Sequence, residues 1–257
     1  MSSDDRPLAL VTGAAGGIGA AIVARLVCDG LRVLALDRSV ADLNWLSVQH
    51  EDVVPYGFDL AELESTTGFL DELIRTHGVP TRLALNAGVW PGASIVEMSD
   101  EMWRAAAETK VFAQIRLARE AFKIMRDSGA GGRILFMAGT HGRQPHAHAI
   151  TAGFSNAALQ NVSKALAEDG GPHNILCNAV NPGPFATERM VYLAEEKARD
   201  DEISVEEATA ILTQETVLKR YGDPDELAAF VVFLASDKAT YITGASFDID
   251  GGQVKAL

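Results

Sequence analysis

Cysteine is scarce in this chain: Cys28 and Cys177 are the only two among 257 residues. Two thiols so far apart form neither a disulfide framework nor a zinc-ligand pattern, and both are expected as buried packing residues in a reducing compartment. No apolar run approaches the roughly 18 residues that a membrane span needs. The opening MSSDDRP is polar and acidic, unlike a secretion signal, so the expected location is cytoplasmic. Basic residues are in the minority, 22 Lys and Arg against 35 Asp and Glu, for a net charge of −13. That balance argues against nucleic acid and anionic membrane as partners. Tyrosine is scarce too: Tyr56, Tyr192, Tyr221 and Tyr241 are the full set, and none lies between residues 57 and 191.

What the chain does contain is 47% hydrophobic residues, arranged as short aliphatic runs alternating with amphipathic stretches. This is the pattern of parallel strands joined by helices, and one domain of this length can bury a single large core. Strands are predicted at Leu8–Thr12, Arg32–Leu36, Val53–Phe58, Arg82–Leu85, Ile134–Ala138, Ile175–Val180 and Ser246–Ile249. Each is almost uninterruptedly apolar, as expected where helices cover both faces of a sheet. The clearest helices are Ile18–Cys28, Trp103–Arg126 and Phe154–Glu168, with another opened by the pair Asp223-Pro224. The expected fold is therefore α/β: a single-domain, Rossmann-type doubly wound parallel sheet with helices on both faces. A charged, helix-prone excursion at about 185–216 follows the end of a strand, where a lid over a ligand site belongs.

The string TGAAGGIG connects the first strand to the first helix. Gly13, Gly17 and Gly19 let the backbone turn sharply, and the N–H groups around Ile18 at the helix start can face a pyrophosphate. Asp37 ends the second strand about 20 residues beyond the last glycine, where a carboxylate can bond a ribose 2′-hydroxyl and repel a 2′-phosphate. NAD is thus expected over NADP, with Arg38 the residue that could soften the choice. The Gly-x-x-x-Gly-x-Gly spacing resembles that of the short-chain dehydrogenase/reductase family, and the resemblance spans nearly the whole chain. It implies that Asp59 holds the adenine and that Asn86-Ala87-Gly88 supports the sheet beside the cofactor. In NPGPFATE, Pro182-Gly183 would shape the wall behind the nicotinamide and Thr187 would bond its carboxamide. The run from KRYGDPDEL to the closing DIDGG resembles the family's C-terminal signature.

The same resemblance implies four catalytic side chains: a tyrosine that moves the proton, a lysine four residues later, a serine thirteen residues before the tyrosine, and an asparagine on the preceding helix. In the register fixed by GRILFMAGTHGRQP and GFSNAAL, the serine position is Gly139, the tyrosine position Ala152 and the lysine position Asn156; the asparagine position is Lys110. With no tyrosine between 57 and 191, no local shift restores the phenol. Lys110 and Asn156 read either as an exchange that keeps a cation and an amide together or as coincidence. THGRQPHAH places His141, His146 and His148 over the vacated site, and histidine is the commonest general acid or base near neutral pH. His141 and His148 join Lys110 and Asn156 as catalytic candidates, although loop histidines are more often solvated. Thr140 and Thr151 could add hydroxyl hydrogen bonds. No metal site is expected, because the histidines lack a third-ligand pattern. Trp90-Pro91 follows the Asn-Ala-Gly turn and can pack on a substrate or only on its own loop.

Three functions are compatible with these residues. The first is an NAD(H)-dependent oxidoreductase acting on a small alcohol or ketone through a rebuilt proton relay. The second is a non-redox lyase, isomerase or dehydratase on the same scaffold, and the third a catalytically silent NAD-binding subunit that pairs with an active homologue. A small-molecule substrate and a homo-oligomer, tetramer or dimer, are expected, the third function requiring a hetero-oligomer instead.

Overall fold

The computed structural model describes residues 6–60, 66–88 and 94–256, apart from the side chains at 66, 67 and 148. Among the described residues seven strands form one parallel sheet in the order β3-β2-β1-β4-β5-β6-β7. They are β1 (Leu8–Thr12), β2 (Arg32–Asp37), β3 (Val53–Gly57), β4 (Arg82–Leu85), β5 (Gly132–Met137), β6 (Ile175–Pro182) and β7 (Ser246–Ile249). The order reverses between β1 and β4, so a crevice opens beyond the carboxyl ends of these strands. Alternation along each strand divides the core into two layers. Ala9 and Val11 of β1 pack with Ile22, Val23, Leu227 and Val231 on one face. Leu8 and Leu10 pack with Leu70, Leu117, Phe136 and Leu159 on the other.

The first face is covered by α1 (Gly17–Cys28) and α9 (Pro224–Ala235). Asp223 caps α9 through its carboxylate and Glu226 reaches back to the Asp223 N–H at 2.8 Å, the capping box that the Asp-Pro pair announces. The second face carries α3 (Thr66–His77), α5 (Ala113–Ser128) and α6 (Ile150–Gly170); α2 (Asn44–Gln49) packs beside β3. The 185–216 excursion folds as two helices, α7 (Glu188–Asp200) and α8 (Val205–Leu212). No helix among the described residues is long and apolar enough to cross a membrane.

Four sequence expectations need correction. The helix expected at Trp103–Arg126 is three pieces: α4 (Asp100–Ala106), a π-helical turn at Ala107–Phe112, and α5. The helix expected from Phe154 begins at Ile150, capped by no side chain that the sequence could display. β5 starts two residues early, at Gly132, because Arg133 lies buried with its guanidinium donating to the Gly132 carbonyl. Cys177 is buried, but Cys28 is exposed. The buried stripe of α1 runs through Gly19, Ile22, Val23 and Leu26, and Cys28 falls off it.

Candidate functional site

Two adjoining cavities occupy the crevice, and Asn86 borders both. The first, about 330 Å³, is lined by Gly13, Asp37, Arg38, Asp59, Ala87 and Gly88. The second, about 400 Å³, has Ile18, Pro182, Gly183 and Thr187 on one side and Lys110, Gly139, Ala152, Asn156 and His141 on the other.

The glycine loop is built for close approach. A Cβ on Gly19 would stand 1.9 Å from the Gly13 carbonyl oxygen, so α1 can begin against the loop only with glycine there. Gly16 caps α1 with no side chain, and no atom lies within 4 Å of its Cβ position. The loop thus leaves the helix N-terminus open on one side, which fits a pyrophosphate. Thr187, the N-cap of α7, puts its methyl 2.7 Å from where a Gly17 Cβ would lie, which ties the Pro-Gly segment to the loop.

Asp37 is fixed by two backbone donors: Ala15 N–H at 3.0 Å and Arg38 N–H at 2.8 Å. The carboxylate therefore stays at the end of β2, on the wall of the first cavity. Asn86 donates its amide to the Gly13 carbonyl at 3.1 Å. Sequence reasoning missed the hub of this turn: Thr12 Oγ1 accepts from both Asn86 N–H and Ala87 N–H, at 3.0 and 2.9 Å. It also missed Gln114, which donates to the Ala87 carbonyl at 2.9 Å. A buried Thr closing the first strand was the available sign of the former; nothing in the sequence marks the latter.

The π turn carries part of the wall of the second cavity. Its wider coil aims successive residues at different cavities, Thr109 at the first and Lys110 at the second. Lys110 is buried, and its Nζ donates to the Ala138 carbonyl at 2.9 Å. That carbonyl, not the Asn156 amide, is its hydrogen-bond partner. Its aliphatic stem runs 3.0 Å from where a Gly88 Cβ would be. Burial pushes the Lys110 ammonium down to about 8.

Gly139 adopts φ 147°, ψ 158°, a conformation open essentially to glycine alone. Its Cβ would meet Asn156 Nδ2 at 2.6 Å, so Asn156 takes up space that a side chain at residue 139 would need. Gln160 holds the Gly139 carbonyl at 3.2 Å and the Asn181 carbonyl oxygen of the side chain at 2.9 Å, another pair that sequence reasoning did not single out. His141 reaches both the second cavity and a smaller neighbour lined by Gln144, His146, Glu215 and Gln253. Burial pushes its imidazole below the ordinary histidine range, the Gln144 carbonyl opposes this, and the nearby Lys110 adds to it. Thr140 borders the second cavity, and Thr151 is fully buried. Met190 and Leu193 of α7 and Leu212 of α8 complete the wall. Trp90, Pro91 and the His148 side chain lie outside the described residues. No group of three metal-ligating side chains occurs among the described residues.

Fold and site define a class: a doubly wound α/β protein with ligand-sized cavities at its topological switch point. A family model described as Enoyl-(Acyl carrier protein) reductase matches residues 13–253. Acetoacetyl-CoA reductase of Acinetobacter sp. (strain RA3849) is 30% identical over 254 residues, 96% of this chain and 98% of the relative. L-rhamnose 1-dehydrogenase (NAD(P)(+)) of Azotobacter vinelandii is 31% identical over 252 residues, 95% and 94% of the two chains. L-sorbose reductase from Gluconobacter frateurii, crystallised with NADPH and L-sorbose, superposes with a TM-score of 0.92 at 31% identity, covering 98% of both chains. An actinorhodin polyketide ketoreductase variant with NADPH gives a TM-score of 0.92 at 29% identity over 100% of both. The chain belongs to the short-chain dehydrogenase/reductase family.

Proposed function

We propose that this protein is an NAD(H)-dependent oxidoreductase that interconverts a small alcohol and its carbonyl compound in the second cavity. The observation that carries this reading is the pair of adjoining cavities, one walled by Asp37 and Asp59, the other by Pro182, Gly183 and Thr187. Bound across both, the dinucleotide would supply or accept the hydride at the substrate carbon. Asp37, Asp59 and the glycine loop would hold its adenosine and pyrophosphate, and Thr187 its carboxamide. The chain's own task is then to orient the substrate and to move one proton at its oxygen. Lys110, with an ammonium lowered to about 8, and His141, an imidazole pushed by burial below the ordinary histidine range, are the groups able to do so. Asn156 would orient the oxygen.

NAD(H) rather than NADP(H) follows from Asp37, whose fixed carboxylate would repel a 2′-phosphate. Relatives described with NADPH and the exposed Arg38 on the same wall are the opposing considerations. Titration calorimetry with all four cofactor forms, followed by nicotinamide absorbance with a panel of alcohols and ketones, tests both halves. Tighter NADP(H) binding would reverse the cofactor assignment, and binding without turnover of any substrate would favour the silent subunit. That second reading draws on the lack of any tyrosine between residues 57 and 191. A homo-oligomer built on α5 and α6 belongs to the first reading, with Phe112 at the head of α5 and Phe154 on α6 each about half exposed; a monomer in sedimentation would refute it.

A further inference from the structure

Lys110 is a buried cation whose hydrogen bond goes to a neutral carbonyl, and it makes no ion pair with any described residue. The cavity it borders repeats this imbalance. Lys110 and Arg189 line it, and among the described residues no Asp or Glu does, in a chain with 35 acidic and 22 basic residues. The charge of the wall is thus opposite to that of the molecule as a whole. Buried charges are ordinarily paired, and for Lys110 none of the described residues supplies the partner. Asn156 brings an amide to the same wall, and Met190, Leu193 and Leu212 make the rest apolar.

We infer that the second cavity takes a small organic acid, its carboxylate held by the Lys110 ammonium and the Asn156 amide and its apolar body lying against α7 and α8. The inference rests on the proposed oxidoreductase reading only in calling that acid a substrate. With Lys110 and Asn156 engaged by the carboxylate, Asn156 no longer orients the reacting oxygen and His141 is the side chain left to move the proton. The cavity, about 400 Å³, would also hold the nicotinamide end of the dinucleotide, so the acid must be compact.

The charged groups around Lys110 are few. His141 faces it from the segment after β5, its imidazole pushed below the ordinary histidine range by burial; Glu215 acts on that histidine from the smaller cavity. Arg189 approaches from α7. Glu108 on the π turn is paired with Arg116 of α5, and Asp100, Glu101 and Arg104 of α4 pair among themselves at the surface. The first turns of α6 carry no charge. Carboxylate binding should therefore follow the protonation of Lys110.

The experiment compares matched probes, benzoate with benzamide and propionate with propionamide, binding to the full chain with and without saturating NADH. Ligand-detected NMR titration reads the affinities. At pH 7 each carboxylate should bind at least about tenfold tighter than its amide. The ratio should then fall by up to about tenfold per pH unit above pH 8, the behaviour of a ligand that needs the ammonium. In Lys110→Met the ratio should drop to about one. The wild-type pH profile decides the matter even if that variant does not fold. Equal binding of acid and amide, no binding of either acid, or a preference that survives in Lys110→Met would overturn the inference. It would also be overturned if NADH abolished acid binding while Lys110→Met weakened only NADH; the dinucleotide phosphates would then be the anion. Acid-selective binding without hydride transfer would remove the oxidoreductase reading and leave the anion site. Turnover of neutral substrates with no preference for acids would do the reverse.

Discussion

Placing alanine at residue 139 perturbs two features of the site at once. The backbone there sits at φ 147°, ψ 158°, and a non-glycine residue forced into that region costs about 1–3 kcal/mol. The new Cβ would also lie 2.6 Å from Asn156 Nδ2 and 3.2 Å from its Cγ. Asn156 is only 3% exposed, so it must turn within a packed wall, and overpacking of this kind costs a further 1–3 kcal/mol or about that. Gly139→Ala should therefore destabilise the protein by about 2–6 kcal/mol. The two contributions separate in a double-mutant cycle. Asn156→Ala removes the obstacle but not the backbone strain, and the buried Asn156 Oδ1 has no hydrogen-bond partner to lose. Gly139→Ala/Asn156→Ala should thus be more stable than the sum of the single changes predicts, by about 1–3 kcal/mol. Urea unfolding followed by tryptophan fluorescence at a common m-value gives all four stabilities. If Gly139→Ala lay within about 0.5 kcal/mol of the parent, or if the cycle were additive, the steric account of this wall would be wrong.

Lys110→Met changes the pH dependence of stability in the ligand-free protein. The folded-state pKa of about 8 is below the ordinary 10.5, so the unfolded chain binds more protons between these values and parent stability should rise from pH 8 to 10.5; the variant, measured by urea unfolding, should lack that rise. Asp37→Ala removes the acceptor for the Ala15 and Arg38 N–H groups and should shift the NADP(H)-to-NAD(H) affinity ratio upward by about tenfold or more; an unchanged ratio in calorimetry would mean that Asp37 does not face the ribose. Phe136→Ala, near the end of β5 and fully buried, should cost about 3–5 kcal/mol in urea unfolding, and a cost below about 1.5 would contradict its place in the core.

The sheet was legible because its central strands are buried on both faces and therefore read as apolar runs, as Leu8–Thr12 and Ile175–Val180 do. The dinucleotide end was legible because its geometry needs glycine: no other residue at position 19 avoids the Gly13 carbonyl. Features held by backbone or long-range contacts were not. The π turn lacks any pattern distinguishing Ala107–Phe112 from the α-helix on either side. Gln114, Gln160 and Asn181 act on atoms far away in the chain, so their roles exist only once the strands are paired. The spacing that assigned Gly139, Ala152, Asn156 and Lys110 to one site was informative for a different reason: all four line one cavity, although Lys110 turns to the Ala138 carbonyl and not to Asn156.

Two side chains on the wall of that cavity fit closely against glycines. The stem of Lys110 passes within 3.0 Å of the Cβ position that Gly88 leaves open, and Asn156 lies against the one that Gly139 leaves open. The lysine is also expensive to keep. Lowering its ammonium from 10.5 to about 8 corresponds to a cost of about 3 kcal/mol at neutral pH, against a total stability for ordinary domains of about 5–15 kcal/mol. A methionine of similar length would avoid most of that cost, and only the Ala138 carbonyl would lose a donor. A charge so placed destabilises the empty protein and stabilises a complex with an anion, and this asymmetry is what a binding site requires. Lys110 therefore weighs toward a pocket that binds an anionic ligand.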